Sequence, residues 1–126
     1  MRQNRYFTLE EANRLIPTLE QELSELRTLR QDLEELGGEL SPLFEVIRHN
    51  GGHRKTRRFL QLAQELGEIL ERIQSHGCLI KNVDPGLIDF PHIREDREVY
   101  LCWRSGEEGI QYWHDIDAGF AGRQSI

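Results

Sequence analysis

Carboxylate and imidazole groups recur at close spacing in the second half of this chain, and together they are the side chains that hold divalent cations or move protons. Asp89 and His92 lie within four residues of each other, as do His114 and Asp117, next to short β-rich segments whose ends can bring side chains together. A divalent metal ion held by Asp89, His92, His114 and Asp117 is therefore one expectation. Neither spacing is that of a zinc finger or an EF-hand loop. Asp89 also stands among Leu87, Ile88, Phe90 and Pro91, neighbours that favour burial. A buried carboxylate must be paired, be hydrogen-bonded or take up a proton; Lys81, Arg104 and Arg123 are the candidate partners. Cys102, beside Trp103, becomes a nucleophile only if a base such as His114 lies across the strand pair.

The same residues allow a second expectation, a pocket for a small polar ligand. Asp89, Glu107, His114 and Arg123 would supply its polar groups, Trp103, Tyr112 and Trp113 its walls, and Lys81 and Arg104 its balancing charge. The alternatives are a scaffold in which these residues only pack the sheet, and a small enzyme using Asp89 or His114 as general base. No GxSxG elbow, P-loop or dinucleotide fingerprint occurs, so the hydrolase and nucleotide-handling classes built on them are excluded.

Two kinds of element would position these groups. Thr8 and Glu11 make a capping-box pattern with Phe7 and Ala12 at the staple positions, so a helix starts at Leu9. Ala12, Leu15, Ile16, Leu19, Leu23, Leu26, Leu29, Leu33 and Leu36 recur at steps of three and four and form one apolar stripe. Pro17 predicts a bend near residues 13–17 or two abutting helices, and Gly37 with Gly38 predicts a stop. Residues 39–53 read as a short helix or turn. A second helix follows from Arg54 to His76, with Gly77 as its C-cap. Two apolar stripes imply an antiparallel helical hairpin, and a second copy of the chain would cover its open sides, giving a four-helix arrangement in a homodimer.

After Gly77 the period changes to two. Cys78–Lys81 and Leu87–Phe90 flank the turn Asp84-Pro85-Gly86, with Pro91 closing the second run, and Glu98–Trp103 and Ile110–His114 flank a turn at 105–109. Alternation puts Val99, Leu101 and Trp103 on one face and Tyr100, Cys102 and Arg104 on the other. The expected fold is thus α+β in a single domain, 1–126. The helical hairpin occupies 1–77, and a small antiparallel β-meander of three or four strands and a C-terminal loop occupy 78–126. The stretch from Asp115 onward is either a frayed tail or a loop folded back over the sheet.

Composition narrows the partners. The chain has 126 residues, a net charge of -6 and a pI near 5.4, a balance that argues against nucleic acid and anionic membrane as whole-surface partners. No apolar run is long enough to span a bilayer and no signal-peptide pattern opens the chain, so a cytoplasmic protein is expected. Cys78 and Cys102 are not spaced as CxxC, which excludes a zinc ribbon or thioredoxin-type centre. Arg48, His49, His53, Arg54, Lys55, Arg57 and Arg58 form one basic cluster, read as a solvated helix end.

Several separated motifs bring a resemblance. Gly77-Cys78-Leu79-Ile80-Lys81, Gly86-Leu87-Ile88-Asp89-Phe90-Pro91, Leu101-Cys102-Trp103-Arg104 with Gly106-Glu107, Tyr112-Trp113-His114 and Gly119-Phe120-Ala121-Gly122-Arg123 occur in order. With the opening Phe7-Thr8-Leu9-Glu10-Glu11-Ala12-Asn13, they resemble a family of small bacterial and archaeal proteins known as domain of unknown function 2203. The resemblance spans nearly the whole chain and implies a cytoplasmic prokaryotic protein, without transferring an activity. It marks Lys81, Asp89, Pro91, Arg104, Glu107, Trp113, His114 and Arg123 as the family's recurrent residues. Asn82 and Ser125 depart from it, where an acidic residue and a proline would be more typical.

Overall fold

A computed structural model of the chain describes residues 5–47 and 53–126, with side chains at all of these except 38–47 and 53. Two helices, α1 (Leu9–Ile47) and α2 (His53–Ser75), are followed by strands β1 (Leu79–Val83), β2 (Gly86–Arg94), β3 (Arg97–Arg104), β4 (Tyr112–Asp115) and β5 (Gln124–Ser125). The strands pair in chain order as one antiparallel sheet. The fold is α+β. It divides into two compact units, Met1–Leu23 with Arg72–Ile126, and Ser24–Glu71.

In the second unit the two helices form the expected hairpin. Leu26, Leu62 and Ile69 are buried there, and Gly37 lies beside the Phe59 ring. The predicted stop at Gly37 and Gly38 does not occur, since α1 runs on to Ile47. A glycine ends a helix by taking a positive φ, and Gly37 does not take one; packing along the partner helix outweighs the roughly 1 kcal/mol propensity cost of each glycine. Nor does Pro17 divide the helix, although its missing N–H leaves the Asn13 carbonyl without its helical donor. Residues 48–52, with Arg48 and His49 of the basic cluster, lie outside the described residues; Arg54, Lys55, Arg57 and Arg58 are exposed on α2.

The first unit carries the sheet. Thr8 and Glu11 close the capping box from both sides, Thr8 N–H to Glu11 Oε1 at 2.8 Å and Glu11 N–H to Thr8 Oγ1 at 3.1 Å. The first turns of α1 bury Ala12, Ile16, Leu19 and Leu23, and one sheet face buries Ile88, Phe90, Val99, Leu101 and Trp103. Phe7 meets Phe90 edge-on, with ring centroids 5.2 Å apart. Asn13 Oδ1 accepts the Ile110 N–H, and Glu20 accepts from the Ser105 hydroxyl and the Gly106 N–H, so α1 also fixes the turn between β3 and β4. Gly77, at φ +99°, caps α2 as its position predicts.

Two strand boundaries differ from expectation. β2 continues through Pro91 to Arg94. In an antiparallel ladder a residue's N–H and C=O point to the same neighbour, and the Pro91 carbonyl accepts from Phe7 N–H at 2.7 Å. The missing proline donor therefore faces away from β3 and costs that pairing nothing. The meander also gains a fifth strand, because the tail turns back through a 3-10 turn at Phe120–Gly122 and pairs with β4.

Candidate functional site

The sheet face opposite the Trp103 core carries three potential ligands. Asp89 on β2 and Cys102 on β3 are direct cross-strand partners, and by the parity that sends the Pro91 carbonyl to Phe7 they form a non-hydrogen-bonded pair, the type with the closer side chains. His114 on β4 pairs with Tyr100. Since neighbouring strands lie about 4.8 Å apart, Asp89 and His114 can meet only by reaching across β3, and the short Cys102 side chain leaves room for this. His114 Nε2 lies 3.1 Å from Asp89 Oδ1. One ligand atom from each of Asp89, Cys102 and His114 falls within 4.8 Å of the others, and all three residues are buried.

Hydrogen bonding defines the protons in this cluster. The Asp115 carbonyl, 2.8 Å from His114 Nδ1, can only accept, so Nδ1 carries a proton. Nε2 then faces a carboxylate oxygen, and one further proton must lie between them. Burial first, and the Asp89 charge second, push the Cys102 thiol up to about 11, so at neutral pH it is a thiol and no nucleophile. Cys78, the second free cysteine, is buried and pushed up to about 12.

The C-terminal tail closes over this face. Arg123 Nη1 and Nη2 donate to Glu107 Oε2 and Oε1 at 2.9 and 2.6 Å, and Nη2 also donates to the Cys102 carbonyl at 3.2 Å. Its guanidinium stacks 4.2 Å from the Tyr112 ring centroid and 4.5 Å from that of Phe120. Burial pushes the Glu107 carboxyl up, but the Arg123 donors and the Arg104 N–H outweigh it and hold it below its ordinary 4.5. A folded value below the unfolded one stabilises the docked tail throughout the range above 4.5 and loses that contribution as pH falls through the folded value. In an NMR titration the Arg123 and Ile126 amide signals are accordingly expected to shift in that acid range while those of Leu101 and Trp103 hold still. Glu107→Gln should flatten the response.

The other sequence candidates do not join the cluster. His92 is on the opposite face, where its Nδ1–H donates to the Phe7 carbonyl at 2.7 Å; Asp117 is exposed in the turn after β4. Trp103 and Trp113 belong to the core face. Lys81 Nζ sits 5.3 Å above the Tyr100 ring, and Arg104 contributes its backbone N–H to Glu107 Oε1 rather than its side chain. Glu107 and Arg123 meet each other beside Cys102. Of the three aromatic walls the sequence offered, Tyr112 is the one on this face, where it flanks Arg123; the sequence missed Cys102 as a ligand and Phe120 as the second ring beside Arg123.

Fold and site together define a small α+β protein with a buried carboxylate, thiol and imidazole on one sheet face. Residues 5–126 match the family described as uncharacterized conserved protein (DUF2203), and the chain belongs to it. No curated protein and no solved structure matches. Among the described residues, no helix is long and apolar enough to cross a membrane.

Proposed function

We propose that this protein is a homodimeric module that binds a divalent cation through Asp89, Cys102 and His114. The convergence of one oxygen, one sulfur and one nitrogen ligand within 4.8 Å, all buried, carries this reading. A cation would replace the thiol proton and the proton shared by Asp89 and His114, leaving two thiolate and carboxylate charges to balance it. The mixed donor set favours zinc or a similar thiophilic ion over magnesium or calcium. The Asp115 carbonyl supports the reading, since metal-bound histidines commonly donate their other ring N–H to such a group and so present the free nitrogen to the ion. Two free thiols suit a reducing, cytoplasmic setting. For the dimer, Leu29, Leu33, Leu36, Phe59, Leu66 and Leu70 of the hairpin unit are only half-buried within one chain, leaving an apolar stripe for a second copy.

Cobalt(II) tests the site, because thiolate ligation gives it an intense near-ultraviolet charge-transfer band. Wild-type protein is expected to take up one equivalent with that band, and His114→Ala and Cys102→Ala to lose it. Wild-type protein that binds neither cobalt nor zinc would leave the scaffold reading. Light scattering on the same sample should give twice the chain mass.

A further inference from the structure

Asp89, Cys102 and His114 are at most 2% exposed, so a hydrated cation or any other reagent reaches them only after something moves. The surrounding elements differ in how firmly they are held. β2 and β3 share an eight-residue register and bury the core on their other face. The tail, residues 116–126, has almost no such anchorage. Its 3-10 turn buries no residue, Phe120 and Ile126 are 43% and 48% exposed, and β5 pairs at only two positions. Among the described residues, and apart from its turn bonds, its hydrogen-bonded hold on the sheet is that short ladder, the Ile126 N–H to the Gln111 carbonyl at 3.0 Å, and Arg123. Such an element opens locally at far lower free energy than the core.

Arg123 makes the strongest of these attachments. Its side chain is 13% exposed, bonds Glu107 bidentately, donates to the Cys102 carbonyl and lies close enough to the thiol to oppose the rise in its pKa. Yet its Nε–H is buried with no acceptor among the described residues, so the docked guanidinium is incompletely satisfied there. Gly122 makes the docking geometry exacting: a Cβ there would lie 2.6 Å from the Ala118 Cβ, too close for either rigidly attached atom to yield.

From this we infer that residues 116–126 form a strap controlling access to the Asp89, Cys102 and His114 cluster, with the Arg123–Glu107 pair as its latch. The inference rests on the proposed cation site for what passes beneath the strap. Opening itself is independent of any cation: it breaks the Arg123 bonds and the β5 ladder and leaves β1–β4 in place.

Disulfide exchange with a small aromatic disulfide, read peptide by peptide by mass spectrometry, tests it in the metal-free full chain. Cys78, 1% exposed, with its thiol donating to the Ile73 carbonyl and placed just before β1 at the sheet edge opposite β5, reports global opening, and Cys102 reports the strap. Glu107→Gln is expected to raise the Cys102 labelling rate about tenfold or more, the effect of weakening a charge-assisted bidentate bond, with the Cys78 rate unchanged. Gly122→Ala, which leaves both latch charges intact, should do the same. Cobalt uptake followed by stopped flow should accelerate in parallel. Equal changes at both cysteines, or none at Cys102, overturn the strap even where cobalt binds. Selective labelling of Cys102 without cobalt uptake in any form upholds the strap and overturns the cation site.

Discussion

His114→Ala is expected to destabilise the protein by about 3–5 kcal/mol, the range found when one member of a buried charged or proton-sharing pair is removed, as read from the urea midpoint at constant m-value. His114 and Asp89 are each 2% exposed, so water does not replace the lost partner. The truncation leaves the Asp89 carboxylate with the Cys102 thiol as its remaining side-chain partner and opens a void the size of an imidazole over β3. Asp89→Ala should cost a similar amount, because it strands Nε2 while Nδ1 stays committed to the Asp115 carbonyl. The informative measurement is the double mutant. With both groups gone no buried charge is unpaired, so Asp89→Ala/His114→Ala should cost less than the sum of the singles by about 1–3 kcal/mol. Strict additivity would mean that the 3.1 Å contact carries no coupling, and the cluster would then lose its claim to be a unit that a cation could occupy.

Much of the fold was legible because its signals are local. The capping box at Thr8 and Glu11, the stripe from Ala12 to Leu26, the Gly77 cap and the alternation through Val99, Leu101 and Trp103 each follow from the covalent geometry of one element. Features set by distant partners were not legible. Gly37 reads as a stop until Phe59 is known to lie against it, and Pro91 reads as a strand end until its free edge is seen to face Phe7 rather than β3.

The site divides the same way. Asp89 could be suspected of burial from its neighbours, and alternation separated Cys102 from Trp103. Pairing Asp89 with His92 fails on parity, since residues three apart on one strand face opposite sides, and β2 extends past His92. What joined Asp89 to Cys102 was the β2–β3 register, fixed by a turn in which Glu95 and Asp96 both take positive φ. Nothing in the side-chain pattern announces that turn, because neither residue is glycine or asparagine, the residues most suited to it. The tail was legible only as two alternatives, for its position depends on Arg123 meeting Glu107, sixteen residues away in the chain.

Trp103→Ala should rank with the His114 substitution, at about 3–5 kcal/mol for deleting a large aromatic side chain from a closed core, again by urea denaturation. Trp103 is 0% exposed at the centre of the buried sheet face, so its loss removes apolar contact that neither α1 nor the neighbouring strands can restore without shifting backbone. The same residue reaches the site from behind. Its indole Nε1–H donates to the Glu107 carbonyl at 3.1 Å, while the Glu107 carboxylate takes the Arg104 N–H and both Arg123 donors. The indole thereby holds the turn in the shape that presents the latch. Trp103→Phe separates the two roles: it keeps an aromatic ring in the core and removes the donor. It should cost clearly less stability than alanine and still raise the Cys102 labelling rate relative to Cys78, because the Glu107 turn loses its tie to the core. A phenylalanine variant with wild-type labelling would confine Trp103 to packing and leave the Arg104 N–H as the backbone group that orients Glu107.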